Sequence, residues 1–291
     1  MTTVLFFNLL LNGLIQGFII GLAALALNMV FAVARFPNAA TGDIMTAGAY
    51  AGIAAQSLGI GSTALQFVVA ILAGMAICLA MYGLVFRRLQ GRSLLAAMLA
   101  SIGVAFMIRA AIFLLAGPEQ RVFAIPLERA ILMHGVALQP NTMRLGLVAI
   151  ACMAAVFMVL HLTPIGRRMR AVADNPTLAR AGGIRIDRVM MAMWALAGAV
   201  CGVAGMVLGI NTVVLPEAGW NVLLPAFAAA VLGGVGSPVG AIVAGVALGV
   251  VQELSTPFVG FTYKIALSFV ALMVILALRP RGLFGAASKV R

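Results

Sequence analysis

The chain has 291 residues, of which 64% are apolar and only 9% charged, with a formal net charge of +12. Several apolar runs reach the roughly 18 to 20 residues needed to cross a ~30 Å hydrocarbon core, which excludes an ordinary water-soluble domain. A transmembrane barrel is excluded too, because the segments are apolar all round instead of alternating in ten-residue pieces. The sequence therefore predicts an all-α polytopic membrane protein, one transmembrane domain over 1–291 with about 8 to 9 transmembrane helices.

The first apolar segment, 6–33, lacks a basic n-region and a small-residue cleavage site, so it is expected to stay as a span. Asn8, Asn12 and Gln16 recur along it every four residues. In the second segment, 43–59, Asp43, Thr46, Tyr50 and Ser57 again share one helical face. Such faces either line an aqueous path or hydrogen-bond between helices, each contact then contributing on the order of 0.6 to 2 kcal/mol. Asn12, Gln16, Thr46 and Tyr50, with Ser101 on the fourth segment, are the path candidates.

The third segment, 63–86, ends at Arg87, Arg88 and Arg92. The fourth, 94–116, carries Arg109 about two-thirds along, where a charge costs roughly 2.5–3.5 kcal/mol on insertion scales and needs a carboxylate partner or an outward reach. The stretch 117–142 balances Glu119 and Glu128 against Arg121 and Arg129, as suits a translocated loop. After a fifth segment, 143–162, six arginines fall between Thr163 and Arg188. Segment 189–213 follows, with Gly198, Gly202, Gly205 and Gly209 spaced for close helix packing. Segments 222–234, 238–256 and 262–279 complete the chain, the first of them short and ending in Gly-rich sequence. A small-residue turn opens both the second and the eighth segments, at 41–48 and 236–243. That likeness is either a repeated half or a common way to start a span.

Positive residues mark the cytoplasmic side. Arg87, Arg88 and Arg92, the 163–188 island, and Arg279, Arg281, Lys289 and Arg291 should all lie there, with the N-terminus periplasmic and the C-terminus cytoplasmic. This parity holds only if 222–234 is a full crossing; a re-entrant hairpin would put the basic C-terminus outside. Because the arginines sit at the ends of apolar segments and not on an aromatic-studded soluble face, nucleic acid is not an expected partner.

Within the island, Asn175-Pro176 is a helix start, asparagine capping the orphan N–H groups and proline standing where no donor is needed. The helix runs to Ala181 and stops at Gly182-Gly183. Asp187 is placed to cap the next span. A short capped helix tied to spans at both ends is either an ordinary loop or a knob that docks in a cytoplasmic partner.

The chain has no phosphate-binding loop, and its lysines are Lys264 and Lys289. Cys78, Cys152 and Cys201 lie singly in separate segments, and His134 and His161 have no metal-ligand spacing. No catalytic residue, metal site or cofactor is expected.

Several ordered stretches resemble the LivH-type permeases, the membrane subunits of branched-chain amino acid ABC importers. Arg170-Ala171-Val172-Ala173-Asp174-Asn175-Pro176, Ala179-Arg180, Gly183-Ile184 and Asp187-Arg188 resemble that family's cytoplasmic loop. Leu99 to Gly103 with Leu114 to Pro118, the Gly-rich run Val231 to Ala241, and Arg279 to Gly285 resemble its fourth span, signature and ending. Two departures stand out: Asn38-Ala39-Ala40-Thr41-Gly42 where the family usually has His or Gln before the last Gly, and Gln252 followed by Glu253 where it often has a carboxylate one place earlier.

The resemblance implies a translocation subunit working by alternating access in the bacterial inner membrane. Its implied partners are a LivM-like second permease, two cytoplasmic ATP-binding subunits and a periplasmic substrate-binding protein. Arg170, Asn175, Pro176, Ala179, Arg180, Gly183 and Ile184 would receive the push of ATP-driven closure. Two other readings stay open: a related permease for another solute such as a sugar or urea, and an ion-coupled secondary transporter. The latter would need midplane ion ligands, for which Glu253 is the one carboxylate well inside a span.

Overall fold

A computed structural model describes residues 3–125, 131–133, 136–260, 263–278 and 282–284. Glu128, Arg129, His134, Arg279, Arg281, Lys289 and Arg291, used in the sequence reading, lie outside the described residues.

The helices are α1 (Thr3–Ala34), α2 (Thr41–Ser57), α3 (Thr63–Met81), α4 (Arg87–Leu89), α5 (Leu94–Ala116), α6 (Pro140–Leu162), α7 (Pro164–Asp174), α8 (Pro176–Ala181), α9 (Ile186–Asn211), α10 (Ala218–Gly233), α11 (Pro238–Val259) and α12 (Lys264–Leu278). A π turn over Tyr82–Phe86 joins α3 to α4 as one rod, Thr63–Leu89. Between α5 and α6, β1 (Ile131–Met133) pairs antiparallel with β2 (Val136–Leu138), a small hairpin in the neutral loop. Among the described residues, six helices are long and apolar enough to cross a membrane, and the all-α polytopic class is established.

Glycine decides which helices meet. Lipid tails are as apolar as leucine, so spans associate through close packing and hydrogen bonds, which small residues permit. On α1, Gly13, Gly17 and Gly21 run against Val250, Gly249 and Gly245 of the antiparallel α11, and a Cβ on Gly13 would stand 2.9 Å from Val250 Cα. On α9, Gly198 meets Gly74 of α3, Gly202 meets Ala70, and Gly205 meets Met45 of α2. The frame reading of the α9 glycines is thus met. The equivalent stripe on α1 carried the same signal and escaped the sequence reading.

The chain turns back sharply after α1. Arg35 adopts a left-handed φ of 65°, and Phe36 to Ala40 fold inward. Asn38 organises this turn: its Oδ1 accepts from Ala40 N–H at 3.1 Å, and its carbonyl accepts from Thr41 Oγ1 at 2.8 Å. As a result α2 starts among other helices, with Thr41 through Thr46 buried.

The short segment is a continuous 16-residue helix held at both ends. At one end Val214, just before α10, exchanges backbone hydrogen bonds of 2.8 and 2.9 Å with Arg121. At the other end Asn28 of α1 donates to Gly234 and Ser237 carbonyls at 3.1 and 3.2 Å and accepts from Gly236 N–H at 2.7 Å. Leu283 N–H adds a bond to Leu232 O at 2.8 Å. α10 therefore runs between two anchored ends, roughly 24 Å apart at 1.5 Å per residue.

Candidate coupling loop and intramembrane charge pair

The arginine island folds as two helices, where the sequence reading foresaw one. Thr163 caps α7, its Oγ1 accepting from Gly166 N–H at 3.3 Å, and Pro164 occupies the first position. The helix is amphipathic and buries Gly166, Met169 and Val172 while its arginines stay outside. That charge density hid it: in a chain this apolar, a polar stretch reads as a loop. Two arginines pin it to the bundle. Arg170 donates to Leu160 O at the end of α6, and Arg35 donates to Ala173 O.

α8 has the expected boundaries. Asn175 Oδ1 accepts from Leu178 N–H at 3.0 Å, and Pro176 begins the helix. At the far end Gly183 N–H bonds Arg180 O and Ile184 N–H bonds Ala179 O, each at 3.0 Å. This is the paired pattern that satisfies terminal carbonyls, and it requires Gly183 at φ 80°. Ala179 is buried and Leu178 is 70% exposed, so the knob anchors through one side and offers the other. A cavity of about 350 Å³ separates the arm from the helix ends, walled by Arg35, Phe86, Val172, Arg180 and Trp194 among others.

Asp187 does not cap α9; the cap position is Arg185. Its carboxylate lies in the first turn instead, accepts from Tyr82 Oη at 3.3 Å and faces Arg87 at 3.8 Å. The reason is tertiary: the π turn and α4 deliver a phenol and a guanidinium to that spot. The arm is linked to α1, α6 and α9, and α9 in turn, through Asp187, to the rod Thr63–Leu89.

Inside the bundle, Arg109 finds its partner in Asp43. Nε donates to Oδ1 at 2.9 Å and Nη2 to Oδ2 at 3.2 Å, a bidentate pair. The Asp43 side chain is fully enclosed, while that of Arg109 is 15% exposed. Its guanidinium carbon also stands 4.7 Å from the Trp220 ring centroid and 5.4 Å from that of Phe106. Charge pairing and ring faces together offset the cost of a cation in a span. Sequence alone left both residues unpaired because they are 66 positions apart.

The path candidates are not gathered at one place. Thr46 is buried, donating to Gly42 O at 3.2 Å and accepting from Gly219 N–H at 2.9 Å. Ser101 accepts from Ala39 N–H at 3.2 Å and donates to Met98 O at 2.7 Å. These two hydroxyls stitch helices and turns. Tyr50 is buried with its hydroxyl making no hydrogen bond, whereas Asn12 is exposed and Gln16 half-buried on α1. Toward the last helix, Gln252 donates to Ser268, and Glu253 pairs with Lys264. Asn28, which sequence reasoning passed over, holds the Gly-rich loop; a lone amide in a hydrocarbon run was its signal.

A glycine-packed bundle of membrane-length helices with a two-helix arm at one end defines a multi-pass membrane protein. The chain belongs to the family described as "Branched-chain amino acid transport system / permease component", which it matches over residues 9–278. Its relatives include the high-affinity branched-chain amino acid transport system permease protein LivH of Salmonella typhimurium, 30% identical over 96% of both chains. BraD of Pseudomonas aeruginosa, with the same description, is 27% identical over 95% of this chain and 94% of its own. The ribose import permease protein RbsC of Bacillus subtilis is 39% identical, but over 27% of this chain and 24% of its own. This is a LivH-type permease of the inner membrane, a component of a transport system with further subunits.

Proposed function

We propose that the chain forms part of the path by which an ATP-driven importer takes up branched-chain amino acids, with α7 and α8 receiving the mechanical input. It acts as one permease domain, N-terminus in the periplasm and 163–188 in the cytoplasm. Two separate ATPase subunits would supply hydrolysis, a LivM-like permease the other half of the path, and a periplasmic binding protein the amino acid. Asn12, Gln16, Thr46, Tyr50 and Ser101 remain the path candidates, Thr46 and Ser101 acting through the helices they join.

The observation that carries the reading is the double capping of α8 together with the pinning of α7. A push on the exposed Leu178 face meets a helix with its end groups satisfied, anchored by Ala179, Arg170 and Arg35, so force passes to α1, α6 and α9 instead of bending the loop. The solute class is supported by full-length relatives named for branched-chain amino acids, whereas the named sugar permeases match about a quarter of the chain. Uptake of labelled leucine by the reconstituted complex should vanish in Ala179→Trp while the protein still inserts. Wild-type uptake rates in that variant would remove the arm from the mechanism.

A further inference from the structure

We propose that Arg109 is a contact for the carboxylate of the transported amino acid, with Asp43 as the group that positions it; this rests on the functional reading above. Asp43 uses Nε and one N–H of Nη2. A guanidinium has five donors in a planar fork, so the end formed by Nη1 and Nη2 keeps N–H donors that Asp43 does not use, on a side chain that is 15% exposed. That free end has the geometry to hold a second carboxylate bidentately.

The surroundings select for the same class of solute. Ile102 and Phe106 of α5 expose apolar surface, as does Leu224, one turn beyond Trp220 on α10. A single charged fork set in apolar surface suits a molecule with one carboxylate and an aliphatic side chain. The Asp43–Arg109 pair is itself neutral in sum, so a zwitterion adds no net charge to the site. Asp43 holds the fork still: enclosed and hydrogen-bonded through both oxygens, it leaves Arg109 little freedom to swing.

The test uses the complete transporter in proteoliposomes with its binding protein. Arg109→Lys keeps the charge but loses the fork, and leucine uptake should fall roughly tenfold. The neutral double variant Asp43→Asn with Arg109→Gln removes both charges while keeping a polar amide at each position; uptake should fall as far. A dipolar-coupling measurement between carboxyl-¹³C leucine and guanidinium-¹⁵N arginine should give a contact in the wild type that disappears in Arg109→Lys. If the double variant transports within about twofold of wild type, or no such coupling is seen, the pair only joins helices or meets a partner subunit and the assignment fails. If wild-type complex takes up no branched-chain amino acid, the functional reading falls and takes this assignment with it.

Discussion

Helices α9 and α5 are close to indistinguishable as hydrocarbon: 26 and 23 residues, with mean hydropathy 2.0 and 2.2 in their most apolar stretches. Yet 78% of that stretch is buried in α9 and 17% in α5. The difference lies in residue size. α9 presents Gly198, Gly202 and Gly205 to the backbones of α3 and α2, whereas Gly103 of α5 has nothing within 4 Å of where a Cβ would stand. Hydropathy states that a segment belongs in the membrane; small residues state which segments touch.

The contrast is broken most severely at its centre. Gly202→Leu would drive a side chain into the Ala70 backbone of α3, with Gly48 of α2 close by, and folded protein should be lost from detergent-solubilised membranes. Overpacking of a tight site typically costs 1–3 kcal/mol, and here backbone on two sides blocks relief, so about 3 kcal/mol or more is expected. Recovery of monodisperse protein in normal yield would mean the glycine seam is not what holds α9.

A step down, Asn28→Ala leaves Gly236 N–H without its acceptor and frees two carbonyls of the Gly-rich loop. Thermal unfolding should report a loss of about 1–3 kcal/mol, and unchanged stability would show the loop held by packing alone. Gly183→Ala strains a left-handed position by roughly 1–2 kcal/mol per residue. In the assembled transporter it should loosen the end of α8 and lower uptake more than ATP hydrolysis. Equal losses in both assays would argue against a transmission role. At the bottom of the scale, Gly103→Leu should change stability by less than about 0.5 kcal/mol. A large effect there would reveal that a partner subunit packs on α5.

Much of this was legible from residue order. The apolar runs located the spans to within a few positions, the arginines marked one end of the bundle, and Asn175-Pro176 with Gly182-Gly183 bounded α8 correctly. Signals of that kind are local, acting through a helix's own termini and solvation. α7 was missed because its amphipathic pattern is carried by arginines, and Asp187 was misassigned because Tyr82 and Arg87 compete for it. The pairing of Asp43 with Arg109 and the clamp at Asn28 join residues 66 and more than 200 positions apart, beyond the reach of periodicity.

Residue order alone marks a helical membrane protein, the positions of its apolar helices, and the short capped helix between them. Each of these is set by the free energy of one segment in lipid or of one helix end. Which spans form the core, how α2 comes to begin inside the bundle, and which carboxylate neutralises Arg109 were decided by tertiary structure. In a uniformly apolar solvent, association depends on how closely two particular backbones can approach, and that is a property of pairs.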